Sequence, residues 1–466
     1  MLPVNVEINV KPVFAQLIHS GSYEGPCRVG AKADLSPDAE RQRGRAQFEI
    51  FTSELSAALP PRVRLLAPTY LEWHDDFVLP QYELAKLEPD VFEADLVLMG
   101  PGGLDQYPAI SIAHGYSKPI GRLGWVGSVD IAAYLRSRGM EGYAFLDYEH
   151  LSEMLTLFRV RKALQSTRML VAVEGNSSVP SGVVSSIWDL EGLKKRYGVD
   201  YTCVPARDIV EGMHDLGQEA LEQVEAMTNR LLDNAQDVHM SRENVLPSVA
   251  FYVATRKALD KYECNAFTIP CFELCAKQVP ATSRVTFCLT HTLLKDQGIP
   301  SACEADTNVL MAITLLTYLS RQSVFMGNSY LVDRKENILA VHHDVPGLKM
   351  KGIGGPDLPY ELRPFTTGGW GVTVRYDFSR DAGAPVTLAR FNPAGTKVLV
   401  AKGEIVGSDG FDKVGCSLSA HIKVRDIVDL FHKELDFGHH LAMVYGDYVD
   451  PIKQLGQMMG FEAIEA

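Results

Sequence analysis

The chain has 466 residues, with 45 Lys and Arg against 58 Asp and Glu, and a formal net charge of −13. Hydrophobic residues make up 46% and charged residues 22%, the balance of a folded globular protein and not of a disordered one. An acidic chain without a basic stripe cannot neutralise a phosphate backbone, which excludes non-specific nucleic-acid binding, and the length predicts roughly two to four domains.

The N-terminus lacks the basic region and apolar core of a signal peptide, and no apolar run approaches the roughly 20 residues needed to cross a bilayer. These features predict a cytoplasmic protein without a membrane partner. The eight cysteines include no Cys-x-x-Cys pair, and several lie inside apolar runs, which predicts buried, reduced thiols. Cys271 and Cys275 would share a helix face, but no second pair completes a zinc site.

In chain order, the first ten residues alternate as an opening strand, and 46–59 read as a helix. Residues 63–68 and 94–100 read as strands, the second ending in Gly100-Pro-Gly-Gly103. Residues 110–113 and 119–123 look like further short strands, and 129–138 like a helix. This alternation predicts a parallel sheet flanked by helices over residues 1–164. A second α/β domain is predicted over 165–333. Its strand at 169–173 runs into Glu174-Gly-Asn-Ser-Ser, which lacks the G-x-G-x-x-G spacing of a dinucleotide cradle and reads as a plain turn. Helix 190–197, strand 200–204, helices 218–232 and 245–262 and strand 266–271 follow. From 334 to 466 the sequence becomes Gly-rich and alternating, as in an antiparallel barrel or sandwich, and closes with a helix at 450–459. The predicted fold class is therefore α/β: two Rossmann-like parallel-sheet domains followed by a β-rich, barrel-like C-terminal domain.

Four segments bring acid–base or metal-competent groups to element ends. In Gly298-Ile-Pro-Ser-Ala-Cys-Glu-Ala-Asp306, Glu304 lies at the carboxyl end of a short strand, the edge where open α/β sheets bind ligands. Asp306 or Thr307 can cap the following helix, 307–319, with Val309, Ile313, Leu316 and Leu319 as its buried face. The other segments place Asn328, the run His342-His343-Asp344, and the pair His439-His440 at strand ends. Each His pair taken alone is more often structural. Together with Glu304 they suit an oxygen/nitrogen site for a hard cation such as Mn²⁺ or Mg²⁺.

The run Gln297-Gly-Ile-Pro followed by Ser301-Ala-Cys-Glu-Ala-Asp306 resembles a motif of the L-fucose isomerase/L-arabinose isomerase superfamily. The resemblance continues through Val324-Phe-Met-Gly-Asn328, Pro385-Val-Thr-Leu-Ala-Arg390 and His439-His-Leu-Ala-Met-Val-Tyr-Gly-Asp447. It implies an intramolecular oxidoreductase that interconverts aldoses and ketoses with Mn²⁺, assembled as a homo-trimer or homo-hexamer with sites between subunits. It further implies that Glu304 is a metal ligand and acid/base group and that His440 is the metal-binding histidine. His342 resembles an additional histidine ligand, with His343 nearly as good a candidate. Asn328 stands where the pattern has a second carboxylate. An amide can offer its carbonyl oxygen to a metal but cannot take a proton at neutral pH. Either Glu304 shuttles the proton alone, or Asp344 or Asp306 takes the second role. The lost negative charge predicts either a weaker metal site or better tolerance of an anionic substrate group, so the expected substrate is an open-chain sugar, plain or modified, anionic ones included. Trp370, His439 and His343 are candidate substrate contacts, Trp370 by stacking on a sugar face. The alternatives are a lyase or epimerase using the same metal-stabilised enediolate, and a non-catalytic sugar-binding protein.

Overall fold

The structure, a computed structural model, describes residues 1–22, 36–102, 104–173 and 183–466. Gly103 and the Glu174 to Ser178 loop, as well as Cys27, one of the eight cysteines, lie outside the described residues. The chain divides into two compact units, residues 6–159 and residues 1–5 with 160–466.

In the first unit, β1 (Ile8–Ile18) is the centre of an all-parallel sheet. It pairs on one side with β2 (Val63–Leu65) and β3 (Thr69–His74), and on the other with β4 (Leu96–Met99), β5 (Ile120–Leu123) and β6 (Gly142–Phe145) in turn. With β2 and β3 sharing one edge, the order is that of a doubly wound α/β sheet. All four residues of β4 are buried, as a central strand covered on both faces requires. The expected strand at 110–113 is instead part of the helix Gln106–Tyr116. Its buried residues Ala109, Ile112 and Ala113 recur at helical spacing, and a four-residue apolar run by itself does not distinguish a helix turn from a strand.

The second unit carries two architectures. β7 (Arg168–Ala172), β8 (Asp200–Val204), β10 (Ala266–Thr268) and β11 (Ser301–Ala302) form a parallel sheet in the order β11-β10-β7-β8. The short β9 (Asp237–Val238) joins the hairpin of β14 (Glu361–Pro364) and β15 (Val372–Arg375) in a separate three-stranded sheet. β12 (Phe325–Asp333), β13 (Ile338–His342), β16 (Pro385–Phe391), β17 (Lys397–Asp409), β18 (Ser419–Val424) and β19 (His440–Tyr445) pair antiparallel in the order β16-β19-β12-β13-β18-β17. Pairing of β16 with β17 closes this ring into a barrel, and β20 (Glu462–Glu465) adds to β17 in parallel. The α/β class, with two parallel sheets and a ring-like β-rich C-terminal part, is as the sequence predicts. No helix among the described residues is long and apolar enough to cross a membrane.

Alternation along the barrel strands sorts their side chains into two sets. Phe325, Leu339, Val341, Leu388, Leu441 and Met443 belong to one packed core. Asn328, His342 and His440, which are cross-strand neighbours, point the other way. Helix Thr307–Ser320 packs against β16 and β19 and also against β10 and β11. It is therefore buried from Thr307 to Leu319 on every side, not on the single face expected, as a helix held between two sheets must be.

Candidate active site

Glu304 follows directly on β11, in a tight corner. Glu304 and Ala305 both adopt left-handed backbone, with φ of 60° and 50°. Such conformations cost about 1–3 kcal/mol each and persist where the surroundings impose them. Here the Ala305 amide donates to the Ile269 carbonyl (3.0 Å), and the Ser186 hydroxyl donates to the Ala305 carbonyl (3.3 Å).

Glu304, His343 and His440 present ligand atoms within 4.8 Å of one another and could hold a metal ion. Glu304 Oε1 lies 3.3 Å from His343 Nε2, and Oε2 lies 3.8 Å from His440 Nε2. Burial pushes the Glu304 carboxyl up. The His343 hydrogen bond and the electrostatic influence of His440, His343 and His439 outweigh it and hold the group below its ordinary value.

His440 is fully buried, and Asp306 sets its tautomer. Asp306 Oδ2 accepts from His440 Nδ1 at 2.8 Å and from Arg390 Nη1 at 2.7 Å. Its Oδ1 caps helix Thr307–Ser320 by accepting from the Asn308 and Val309 amides. Burial raises the Asp306 carboxyl, but Arg390 and His440 more than compensate and keep it ionised far below the usual carboxylate range. With its Nδ1 proton given to Asp306, His440 turns an Nε2 lone pair toward Glu304. That atom is buried and has no hydrogen-bond partner among the described residues. A carboxylate behind a histidine is the usual way a protein orients a metal-ligating imidazole. The donor set, carboxylate oxygen and imidazole nitrogen, fits a hard or borderline divalent cation.

His343 is held differently. Its Nδ1 accepts from the Asp344 amide at 3.1 Å, which leaves Nε2, 3.3 Å from Glu304 Oε1, to share a proton with that carboxylate or, once deprotonated, to serve as the ligand atom. Asn328 lies opposite His440 in the β12–β19 ladder, and its carboxamide makes no hydrogen bond among the described residues.

The other expected site residues are placed as follows. His342 donates or accepts at both ring nitrogens, to Ser419 Oγ (2.7 Å) and the Cys416 carbonyl (2.5 Å), and packs edge-on against Tyr330. Asp344 is committed to structure: Oδ2 takes Arg375 at 2.8 Å, and Oδ1 takes the Ser417 and Leu418 amides. Trp370 is half-buried at the turn between β14 and β15, with no ring contact or hydrogen bond to the triad among the described residues. His439 packs against His440 in a tilted arrangement, with centroids 4.5 Å apart and ring planes at 44°, and burial pushes its imidazole pKa down. It also lines a cavity of about 800 Å³, together with Ser185, Ser329, Tyr330, Phe431 and Glu434. In that wall, burial raises the Glu434 carboxyl to about 7. Sequence reading gave no role to Arg390 or Arg375. Their signal was a lone arginine in each of two otherwise apolar, alternating strands, where a buried charge demands a partner.

No protein-family model matches the chain. It is 25% identical over 338 residues to a sulfoquinovose isomerase of Alkalicoccus urumqiensis, covering 69% of this chain and 72% of that protein. Sulfoquinovose isomerases of Priestia aryabhattai and Priestia megaterium (strain ATCC 12872 / QMB1551) are each 22% identical over 320 residues, covering 67% of this chain and 68% of theirs. The chain is a distant relative of the sulfoquinovose isomerases. The resemblance seen in the sequence implied a sugar isomerase, and sugar isomerases are what the comparison returns.

Proposed function

We propose that the chain is a metal-dependent aldose–ketose isomerase acting on an open-chain anionic sugar, with sulfoquinovose, a sulfonated aldohexose, as the first substrate to test. The observation that carries this reading is the buried, partnerless Nε2 of His440, aimed at Glu304 by Asp306. The relatives' shared activity supports it.

Glu304, His440 and the Asn328 carbonyl would hold a divalent cation such as Mn²⁺. Such a cation would supply Lewis acidity, making the hydroxyl-bearing carbon beside the sugar carbonyl more acidic. Glu304, ionised at neutral pH, takes the proton from that carbon and returns it to its neighbour through an enediol. Asp306 and Asp344 are each spent on a buried arginine, so Glu304 acts alone, with the His343 Nε2 proton stabilising its carboxylate between transfers. His439, kept neutral by burial, is placed to meet a sugar hydroxyl from the adjoining cavity.

Charge supports the anionic substrate. Asp306 and Asp344 are neutralised by Arg390 and Arg375, which leaves Glu304 as the uncompensated acid. A divalent cation would then give the site a single positive charge, which a carboxylate at position 328 would cancel.

The test is to incubate the purified protein with Mn²⁺ and either sulfoquinovose or neutral aldohexoses in deuterated water, following ketose formation by NMR. Conversion of the sulfonated sugar with deuterium entering at C1 of the ketose is expected. Clear preference for neutral sugars would remove the charge argument, and transfer without deuterium would remove the enediol. Glu304→Gln is expected to lower turnover by at least a thousandfold. A mere sugar-binding protein would keep its ligand affinity in that variant.

A further inference from the structure

The residue before Glu304 is Cys303, and its sulfur does not face an inert wall. Cys303 Sγ lies 2.8 Å from Cys271 Sγ, across 32 residues of sequence. Cys303 is buried, with 2% exposure, whereas Cys271 at the start of helix Cys271–Ala276 is partly exposed. The pair thus has one partly exposed member and one buried member that directly precedes Glu304 in the proposed catalytic corner.

We propose that Cys271 and Cys303 are a redox-modification site, in which a peroxide converts the pair to a disulfide and the resulting pull on Cys303 displaces Glu304. The chemistry balances in two steps. The Cys271 thiolate attacks one peroxide oxygen; the O–O bond breaks and hydroxide leaves, giving a sulfenic acid. The Cys303 sulfur then attacks the Cys271 sulfur. The S–O bond breaks, and the departing hydroxide carries off the Cys303 proton as water. Two thiols lose two electrons and two protons, and hydrogen peroxide becomes two molecules of water. Cys271 is the partly exposed partner, so it is the one that meets the oxidant.

The corner transmits the change. Closing from 2.8 Å to a bond of ~2.05 Å draws the sulfurs together by about 0.8 Å. The Cys303 amide is tied to Met326 Sδ at 3.3 Å on the barrel, and its carbonyl accepts from the Asp306 amide at 3.2 Å. The strained turns at Glu304 and Ala305 are the part of the corner with most to gain by relaxing. A supporting shell that moves by ~0.5 Å is enough to spoil a site of this kind.

The proposal rests on the isomerase reading only where Mn²⁺ binding or turnover is measured, so the experiment reads the thiols separately. Reduced protein is treated with hydrogen peroxide, remaining thiols are alkylated, and peptides are mapped without reduction. A crosslinked pair of peptides containing Cys271 and Cys303, two hydrogens lighter than their sum, is expected. Faster amide exchange over residues 301–306, a Mn²⁺ affinity at least tenfold lower, and full recovery with dithiothreitol should accompany it. Cys271→Ser should bind Mn²⁺ as reduced wild type does and ignore peroxide, whereas Cys275→Ser should respond as wild type. Separate alkylation of Cys271 and Cys303 after oxidation would overturn the proposal. So would a crosslink that leaves amide exchange over 301–306 unchanged. If reduced protein neither binds Mn²⁺ nor converts sugar, the isomerase reading fails, while the peptide map and exchange still decide the thiol pair.

Discussion

At the scale of single residues, Asp306 holds one His440 nitrogen, one helix end and one arginine at once. Asp306→Asn keeps a cap oxygen but turns an amide N–H toward His440 Nδ1, which drives the imidazole proton onto Nε2. Mn²⁺ affinity, measured by paramagnetic resonance titration, is expected to fall by about 10- to 100-fold. Stability to urea should fall by about 3–5 kcal/mol, because Arg390 is left buried without its counter-charge. Asn328 makes the opposite test. Asn328→Asp adds a carboxylate, and Mn²⁺ should bind more tightly. An anionic sugar should meanwhile lose ground to a neutral one by about tenfold in kcat/KM, the size of a like-charge repulsion of ~1–2 kcal/mol. An unchanged substrate ratio would remove the link between position 328 and substrate charge. The choice between His342 and His343 shows why residue detail escapes the sequence. Strand β13 ends at His342, whose outward ring is captured by Ser419, while the His343 amide bonds to the Leu418 carbonyl and its ring turns toward Glu304. Both captures depend on Leu418 and Ser419, about 75 residues away where β18 begins, and no local pattern records them.

At the scale of elements, what was legible was what local pattern encodes. Helix 307–319 and its Asp306 cap, helix 190–197 and strand 200–204 were all readable, because spacing and capping chemistry are short-range. The barrel's closure was not, since pairing of β16 with β17 and of β12 with β19 joins strands through register, which neither strand states alone. Strand β12 ends at Asp333, the expected domain boundary, yet pairs entirely within the barrel. Close strand approach gives a test. A Cβ on Gly327 would stand 2.5 Å from the His342 amide nitrogen, inside van der Waals contact with backbone that cannot swing aside. Gly327→Ala is expected to destabilise the fold by about 1–3 kcal/mol in urea. It should also weaken Mn²⁺ binding by moving β13 and His343 away from Glu304.

At the scale of the whole molecule, the formal charge of −13 conceals a few charged groups kept in the interior. Lys295 is fully buried, its amine donating to the Val345 carbonyl, and burial lowers its pKa from 10.5 to about 7. The folded state therefore releases a proton that the unfolded chain retains up to its higher value. In that window the unfolded state binds more protons, so stability rises with pH, by on the order of 4 kcal/mol between pH 7 and 10. Asp296 beside it is raised by burial to about 6, which acts in the opposite sense and in a lower window, between its ordinary value and pH 6. Lys295→Met should abolish the alkaline rise in urea stability and leave the acid side in place; a rise that persists would assign it to other groups. The barrel carries a different consequence for the molecule as a whole. Because the core-facing and site-facing side chains of β12 and β19 alternate, neighbouring positions answer to different pressures. Change in such strands is expected to have a beat of two: one set of positions is free to drift among apolar residues of similar volume, and the other is tied to the proposed site. A relative could thus exchange its substrate while its scaffold is untouched, or repack its scaffold while its substrate stays the same.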